Sequence, residues 1–335
     1  MHIGKLLSYM ISSRENKDFL QARTTSEYLL QGSRAINDKK LVDCLENTFD
    51  KNLRLDSING SHLNSFTNEF SNWLNSASSK IIGLEKYQPD FSAGTTQSFD
   101  SFYYRNRDKK FRCFVGEYFY HLKVWESTET NWSFIDEKNP LKEGDALVLS
   151  LPFCDTGSLY DNYEQLLQEC SMKNIPVLID CCYYVLCGDI SINIDYPCID
   201  TVAFSLSKAF HVANMRIGVR YTRKDMFDGQ KLHHSINYNN SLSAYVGHEI
   251  ITNFSPDYLY KTYREKQLNF CSVAGLTPSD SVLFALGDGT WDKYSRRNLL
   301  NVYKLKYDPS MFTNRILLQP VFDNWDLFEV IKNEV

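Results

Sequence analysis

A chain of 335 residues with 43% hydrophobic content is long enough to bury a sizeable core, as one large domain with a smaller one attached. A charged fraction of 23% and a net charge of −5 give no support for nucleic acid or an anionic membrane surface as a partner. No apolar run reaches the roughly 18 residues needed to span a bilayer, and the opening MHIGKLLSYMISSRENKD has neither a long apolar core nor a small-residue cleavage site, so the cytoplasm is the expected compartment.

In chain order, the first eighty or so residues read as helical. LVDCLENTF and LNSFTNEFSNWLNSA carry apolar residues at three- and four-residue spacings, and they are expected to form a lid or flank and not the core. From about residue 88 short apolar runs alternate with helix-like segments. FRCFVG, DALVLSLPF, IPVLIDCCYY, DTVAFSLS and RIGVRYT are apolar on successive positions, as strands buried on both faces should be. SLYDNYEQLLQECSMKN, between two of them, has helical spacing. The alternation predicts an α/β fold with a mostly parallel central sheet covered by helices on both sides. The nine cysteines are scattered singly apart from Cys181-Cys182, with no C-x-x-C or His-Cys cluster. Reduced thiols are expected, with no disulfide and no structural metal.

Ligands of such sheets gather at the carboxyl ends of the strands, and four signals fall there in order. After YQPDF comes Gly94-Thr95-Thr96-Gln97, a small-residue turn entering the helix-compatible SFDSFYYR. It is either a plain N-cap or a phosphate cradle of free N–H groups. After VLSLPF comes Cys154-Asp155-Thr156-Gly157. After IPVLI comes Asp180, followed three residues on by Tyr183. A carboxylate ending an apolar run needs a partner, which a helix cap, an arginine or a protonated ring nitrogen would supply. Tyr183 is a donor to a ligand hydroxyl or one more core aromatic. After TVAF come Ser205, Ser207 and Lys208, with Arg216-Ile217-Gly218 eight residues further on. Lys208 is either a snorkelling strand-end lysine or a desolvated nucleophile toward a carbonyl. Arg216 is a surface residue or a two-pronged phosphate ligand.

The joint order resembles the fold-type I enzymes that use pyridoxal 5′-phosphate (PLP), in the class I/II aminotransferase branch related to aspartate aminotransferase. Four of that family's five motifs occur in sequence: the Gly/Ser/Thr phosphate turn, D-x-x-Y, S-x-S-K, and R-x-G eight residues after the lysine. The most specific stretch is Leu147 to Tyr221, and weaker likeness runs from about residue 60 to 320. By this resemblance Lys208 is the Schiff-base lysine and proton carrier. Asp180 pairs with the pyridinium nitrogen, Tyr183 donates to the ring oxygen, and Tyr118 stacks on the ring. Gly94, Thr95, Thr96, Ser205, Ser207 and Arg216 hold the phosphate, and Arg315 in TNRIL grips a substrate α-carboxylate. The family likeness also implies a homodimer and three regions: a helical segment at 1–85 serving the small domain and dimer contact, a PLP-binding α/β domain at 86–225, and a C-terminal helix with a small α+β domain at 226–335.

Two departures stand out. Cys154 occupies the place of an asparagine that donates to the ring oxygen, and a thiol is a far weaker donor. A yellow absorbance persisting to higher pH is therefore expected. The tyrosine that crosses from the partner subunit should precede a glycine such as Gly60, yet LRLDSING offers none. Transamination between an amino acid and a 2-oxo acid is the expected reaction, in a specialised biosynthetic setting. Decarboxylation, or an eliminating or cyclising reaction, is the alternative within the family; a catalytically inactive PLP-fold binding protein is the alternative outside enzymology.

Overall fold

In the computed structural model of the protein, residues 32–50, 61–302 and 304–332 are described. Helices α1 (Lys39–Asp50) and α2 (Ser61–Asn75) lead into strands β1 (Lys80–Ile82) and β2 (Tyr87–Ser92). There follow α3 (Thr95–Arg105), β3 (Lys110–Cys113), α4 (Phe119–Ser127), β4 (Trp132–Phe134), β5 (Asp145–Ser150), α5 (Tyr163–Met172) and β6 (Val177–Asp180). Next come β7 (Ser191–Asn193), β8 (Ile199–Ser205), β9 (Gly218–Arg223), α6 (Gly229–Ser235), α7 (Ser241–Asn253) and α8 (Tyr258–Ala274). Strands β10 (Thr277–Pro278), β11 (Phe284–Gly287) and β12 (Asn314–Leu317) precede the last described helix, α9 (Trp325–Lys332).

The central sheet has seven strands in the order β2-β9-β8-β6-β5-β3-β4. Pairs among β8, β6, β5, β3 and β4 are parallel, and β9 runs antiparallel to both β2 and β8. Every residue of β5 is buried, and its side chains alternate between two apolar layers, as the two-residue period of a strand requires. Leu147 and Leu149 join one cluster with Val177, Ile179, Val202 and Phe204. Ala146 and Val148 join the other, with Leu178, Ala203, Phe99, Phe111 and Trp125. Pro89 sits on edge strand β2, where its missing N–H breaks no ladder.

The expectation that the early helices form only a lid or flank is corrected for α2. Its Leu63, Phe66, Phe70 and Leu74 are buried in the main core, with Phe66 packed edge-on against Phe91 and Phe70 against Phe204. The helical spacing predicted this apolar stripe, but the face it covers is the central sheet itself. A second, three-stranded antiparallel sheet, β10-β11-β12, is tied to α8 by Gln267. That buried amide donates to the carbonyls of Ser279, Ser281 and Phe284 at 3.2, 2.9 and 2.7 Å. All nine cysteines are free thiols, and no helix among the described residues is long and apolar enough to cross a membrane.

Candidate active site

Because β5, β6 and β8 are parallel, their carboxyl ends meet at one edge of the sheet. Cys154, Asp180 and the Ser205 to Lys208 turn leave from that edge. Strand β9 is reversed, so its beginning reaches the same edge and delivers Arg216 there. A cleft at this edge is lined by Thr95, Thr96, Tyr118, Cys154, Asp180, Cys182, Tyr183, Ser205, Ser207, Lys208 and Arg216. Ten of the twelve residues singled out from sequence thus share one cleft. Gly94 supports it from behind, and Arg315 lies beside it.

One end of the cleft is built of donors. Gly94, at φ 73°, caps the N-terminus of α3, and Gln97 Oε1 accepts the Ala93 N–H at 2.7 Å. The Arg216 guanidinium donates to Thr96 Oγ1 at 3.0 Å and, more loosely, to Ser207 Oγ at 3.4 Å. Arg216 itself holds φ 58°, a left-handed conformation that costs a non-glycine residue free energy. A Cβ on Gly94 would come within 2.2 Å of Arg216 Nη2, so only glycine leaves room for the guanidinium against the turn. The Ser205 hydroxyl is committed locally, donating to Ser207 Oγ at 2.9 Å. A helix N-terminus, a two-pronged cation and hydroxyls converging on one point suit a phosphate dianion.

The other end is acidic. Asp180 is buried, and its Oδ1 accepts the Cys182 N–H at 3.0 Å. Burial pushes its carboxyl up to about 8, and the nearby charge of Glu117 adds to the rise, while the Cys182 bond and Lys208 oppose it. A carboxyl so placed is completed by a cationic N–H donor, such as a protonated ring nitrogen. Lys208 Nζ donates to the Ser33 carbonyl at 3.3 Å. That bond brings the chain around residue 33 across the lysine, and His211 Nε2 meets the Ile36 carbonyl at 2.5 Å just beyond.

Tyr118 caps the N-terminus of α4 and forms one wall. Tyr183, whose phenol is pushed up by burial, packs edge-on against Phe284 with centroids 5.0 Å apart. Cys154 is buried, and desolvation raises its thiol, which keeps it neutral. Arg315 lies 4.1 Å over the Phe284 ring. It donates to the Cys154 carbonyl and, at 3.1 Å, to the Gly32 carbonyl.

Several residues of this region escaped the sequence reading. Cys182 lines the cleft but looked like half of an unremarkable thiol pair. Glu117 is buried, and desolvation lifts its carboxyl to about 7; its signal was a lone acid in the apolar FVGEYFY. Asp155 pairs with buried Arg296 at 2.9 Å, a contact across 141 positions that no local pattern announces. His121 is fully buried and held neutral, its pKa lowered to about 3 by desolvation, with Nδ1 bonded to the Tyr103 hydroxyl. Gly60 and the preceding LRLDSIN, where a partner-crossing tyrosine was sought, lie outside the described residues.

No protein-family model matches the sequence, and no curated protein matches it. Solved structures do match in fold. The histidinol-phosphate aminotransferase from Clostridium acetobutylicum superposes with a TM-score of 0.59 at 14% identity, over 91% of this chain and 99% of that one. The PLP-bound C-S lyase from Staphylococcus hominis, in its external aldimine form with L-cycloserine, gives 0.65 at 13% identity, covering 95% of each chain. The L-threonine-O-3-phosphate decarboxylase from Porphyromonas gingivalis gives 0.58 at 15% identity, over 89% of this chain and 98% of that one. The chain therefore has the fold-type I architecture of PLP-dependent enzymes.

Proposed function

We propose that this protein is a PLP-dependent enzyme acting on an amino acid or a compound derived from one. The observation that carries the reading is the pairing of opposite chemistries along one cleft that Lys208 also lines. Donors from Thr96, Arg216 and the start of α3 stand at one end, and at the other stands the carboxyl of Asp180, which accepts the Cys182 N–H and has no ion-pair partner among the described residues. Arg216 with Thr95, Thr96 and Ser207 would hold the phosphate. Asp180 would receive the ring N–H, Tyr118 would cover the ring face, and Tyr183 would donate to the ring oxygen, with Cys154 a poor second donor. Lys208 would carry the cofactor through its ε-amine and move the proton at the substrate's α-carbon. When bound, PLP supplies an electron sink conjugated to that carbon. Arg315, freed from the Gly32 carbonyl, would meet the substrate carboxylate.

We favour transamination, with a 2-oxo acid as second substrate, in a specialised biosynthetic setting, and a cytoplasmic homodimer built on a PLP-binding unit at 86–225. Decarboxylation or C–S elimination is the second reading, kept because solved enzymes of both kinds share the fold at the same level of similarity. The choice among them depends on which bond at the α-carbon is aligned with the ring.

The test begins with a spectrum. The purified chain supplied with PLP should be yellow and lose its visible band on borohydride reduction, and Lys208→Ala should fail to retain the colour. A colourless wild type, or an unchanged Lys208→Ala, would overturn the proposal. Amino acids are then screened: conversion of the cofactor to its amine form marks transamination, while release of carbon dioxide or of a thiol marks the second reading. Retained colour with no turnover across the panel would favour a binding protein.

A further inference from the structure

Glu117 stands directly behind the acidic end of the cleft. Its side chain is 1% exposed, and both carboxylate oxygens are engaged by Ser150. Oε1 accepts the Ser150 N–H at 2.7 Å, and Oε2 accepts the hydroxyl. Ser150 is the residue paired with Asp180 across β5 and β6, and its Oγ also accepts the Cys154 N–H at 3.1 Å. One carboxylate thus ties together the turn leading to Tyr118, the end of β5 and the neighbour of Asp180. The groups facing it are Asp180 from β6, Cys113 from β3, Cys154 after β5, and Arg296. Arg296 is the nearby cation, but its guanidinium is directed to Asp155 at 2.9 Å and to the carbonyls of Gly116 and Glu117 at 2.5 and 2.6 Å. The Glu117 carboxylate therefore relies on hydrogen bonds from Ser150 and the Tyr118 N–H, and two acids stand close together in a desolvated place.

We propose that Glu117 is a positioning residue for the cofactor proposed above, a second carboxylate that holds the ends of β5 and β6 and makes Asp180 a stronger acceptor for a protonated ring nitrogen. The inference rests on the PLP reading. Lys208 faces Asp180 and offsets part of its rise, but two buried, interacting carboxyls still tend to share a proton when no ring cation is docked on them. A ring cation docking on Asp180 replaces that proton, so cofactor affinity is linked to pH. It falls as pH drops into the range where the pair is protonated, by up to about tenfold per pH unit for one displaced proton. Removing the Glu117 charge lowers the proton affinity of Asp180 and moves this fall to lower pH.

The experiment measures the dissociation constant of PLP by equilibrium dialysis between about pH 5.5 and 8.5, on the full chain and on Glu117→Gln. The expected result is a midpoint in the variant's affinity profile about one pH unit or more below that of wild type. Ser150→Ala serves if Glu117→Gln does not fold. It strips one hydrogen bond from the ionised carboxylate, raises the proton affinity of Glu117, and should shift the midpoint in the same direction by less. A purely structural role would weaken binding evenly at every pH, and that parallel loss, or superimposable profiles, would overturn the proposal. A wild-type chain that binds no PLP at any pH would instead overturn the functional reading beneath it.

Discussion

Asp180→Asn should stabilise the cofactor-free protein while weakening its hold on the cofactor, and the gain should grow with pH. Burial raises the Asp180 carboxyl from 3.8 to about 8, so the unfolded chain binds fewer protons than the folded one throughout that window. Stability must then fall as pH rises through it. Each unit corresponds to about 1.4 kcal/mol, so the cost reaches roughly 2 kcal/mol near pH 5 and about 4 kcal/mol near pH 7 before discounting for the interaction with Glu117. Asparagine removes the ionisation and keeps an oxygen for the Cys182 N–H, now 3.0 Å from Oδ1. Its new amide hydrogens face the cleft. Urea unfolding of both proteins at three pH values, followed by tryptophan fluorescence, reads the difference. A gap that does not widen with pH would refute the claim that Asp180 is held against its own ionisation.

Gly94→Ala should reduce PLP affinity by about tenfold or more, because the new methyl would collide with Arg216 Nη2 and the residue sits at φ 73°, ψ 178°, a conformation costing L-residues roughly 1–3 kcal/mol; equilibrium dialysis checks it. Cys154→Asn should restore a strong donor at the ring oxygen and move the pH midpoint of the bound cofactor's visible band downward, as read by spectrophotometric titration. Arg296→Leu should cost about 3–5 kcal/mol by stranding buried Asp155, and a lowered urea midpoint measures it.

Much of the site was legible along the chain because its parts are local. A small-residue turn before a helix, an acid closing an apolar strand, and a lysine and an arginine after the next strand each leave a short signature, and their order narrowed the chemistry further. Asp180, Ser205, Lys208 and Arg216 needed no knowledge of distant contacts to be chosen. Arg315 was chosen through the family resemblance, from the short apolar run TNRIL; its neighbours in space, Phe284 and the Gly32 carbonyl, could not have been.

Amino-acid order by itself determined the strand and helix periods, the two-faced burial of β5, β6 and β8, and the donor and acceptor types that meet at their ends. Tertiary structure alone decided the reversed direction of β9, which brings Arg216 to the shared edge, and the burial of α2 against the sheet. It also decided the bonds of Glu117 to Ser150 beside Asp180 and of Arg296 to Asp155. Periodicity reports which face of an element is apolar, but not what covers that face. Which buried charges meet across a hundred or more residues depends on packing that no short window of sequence contains.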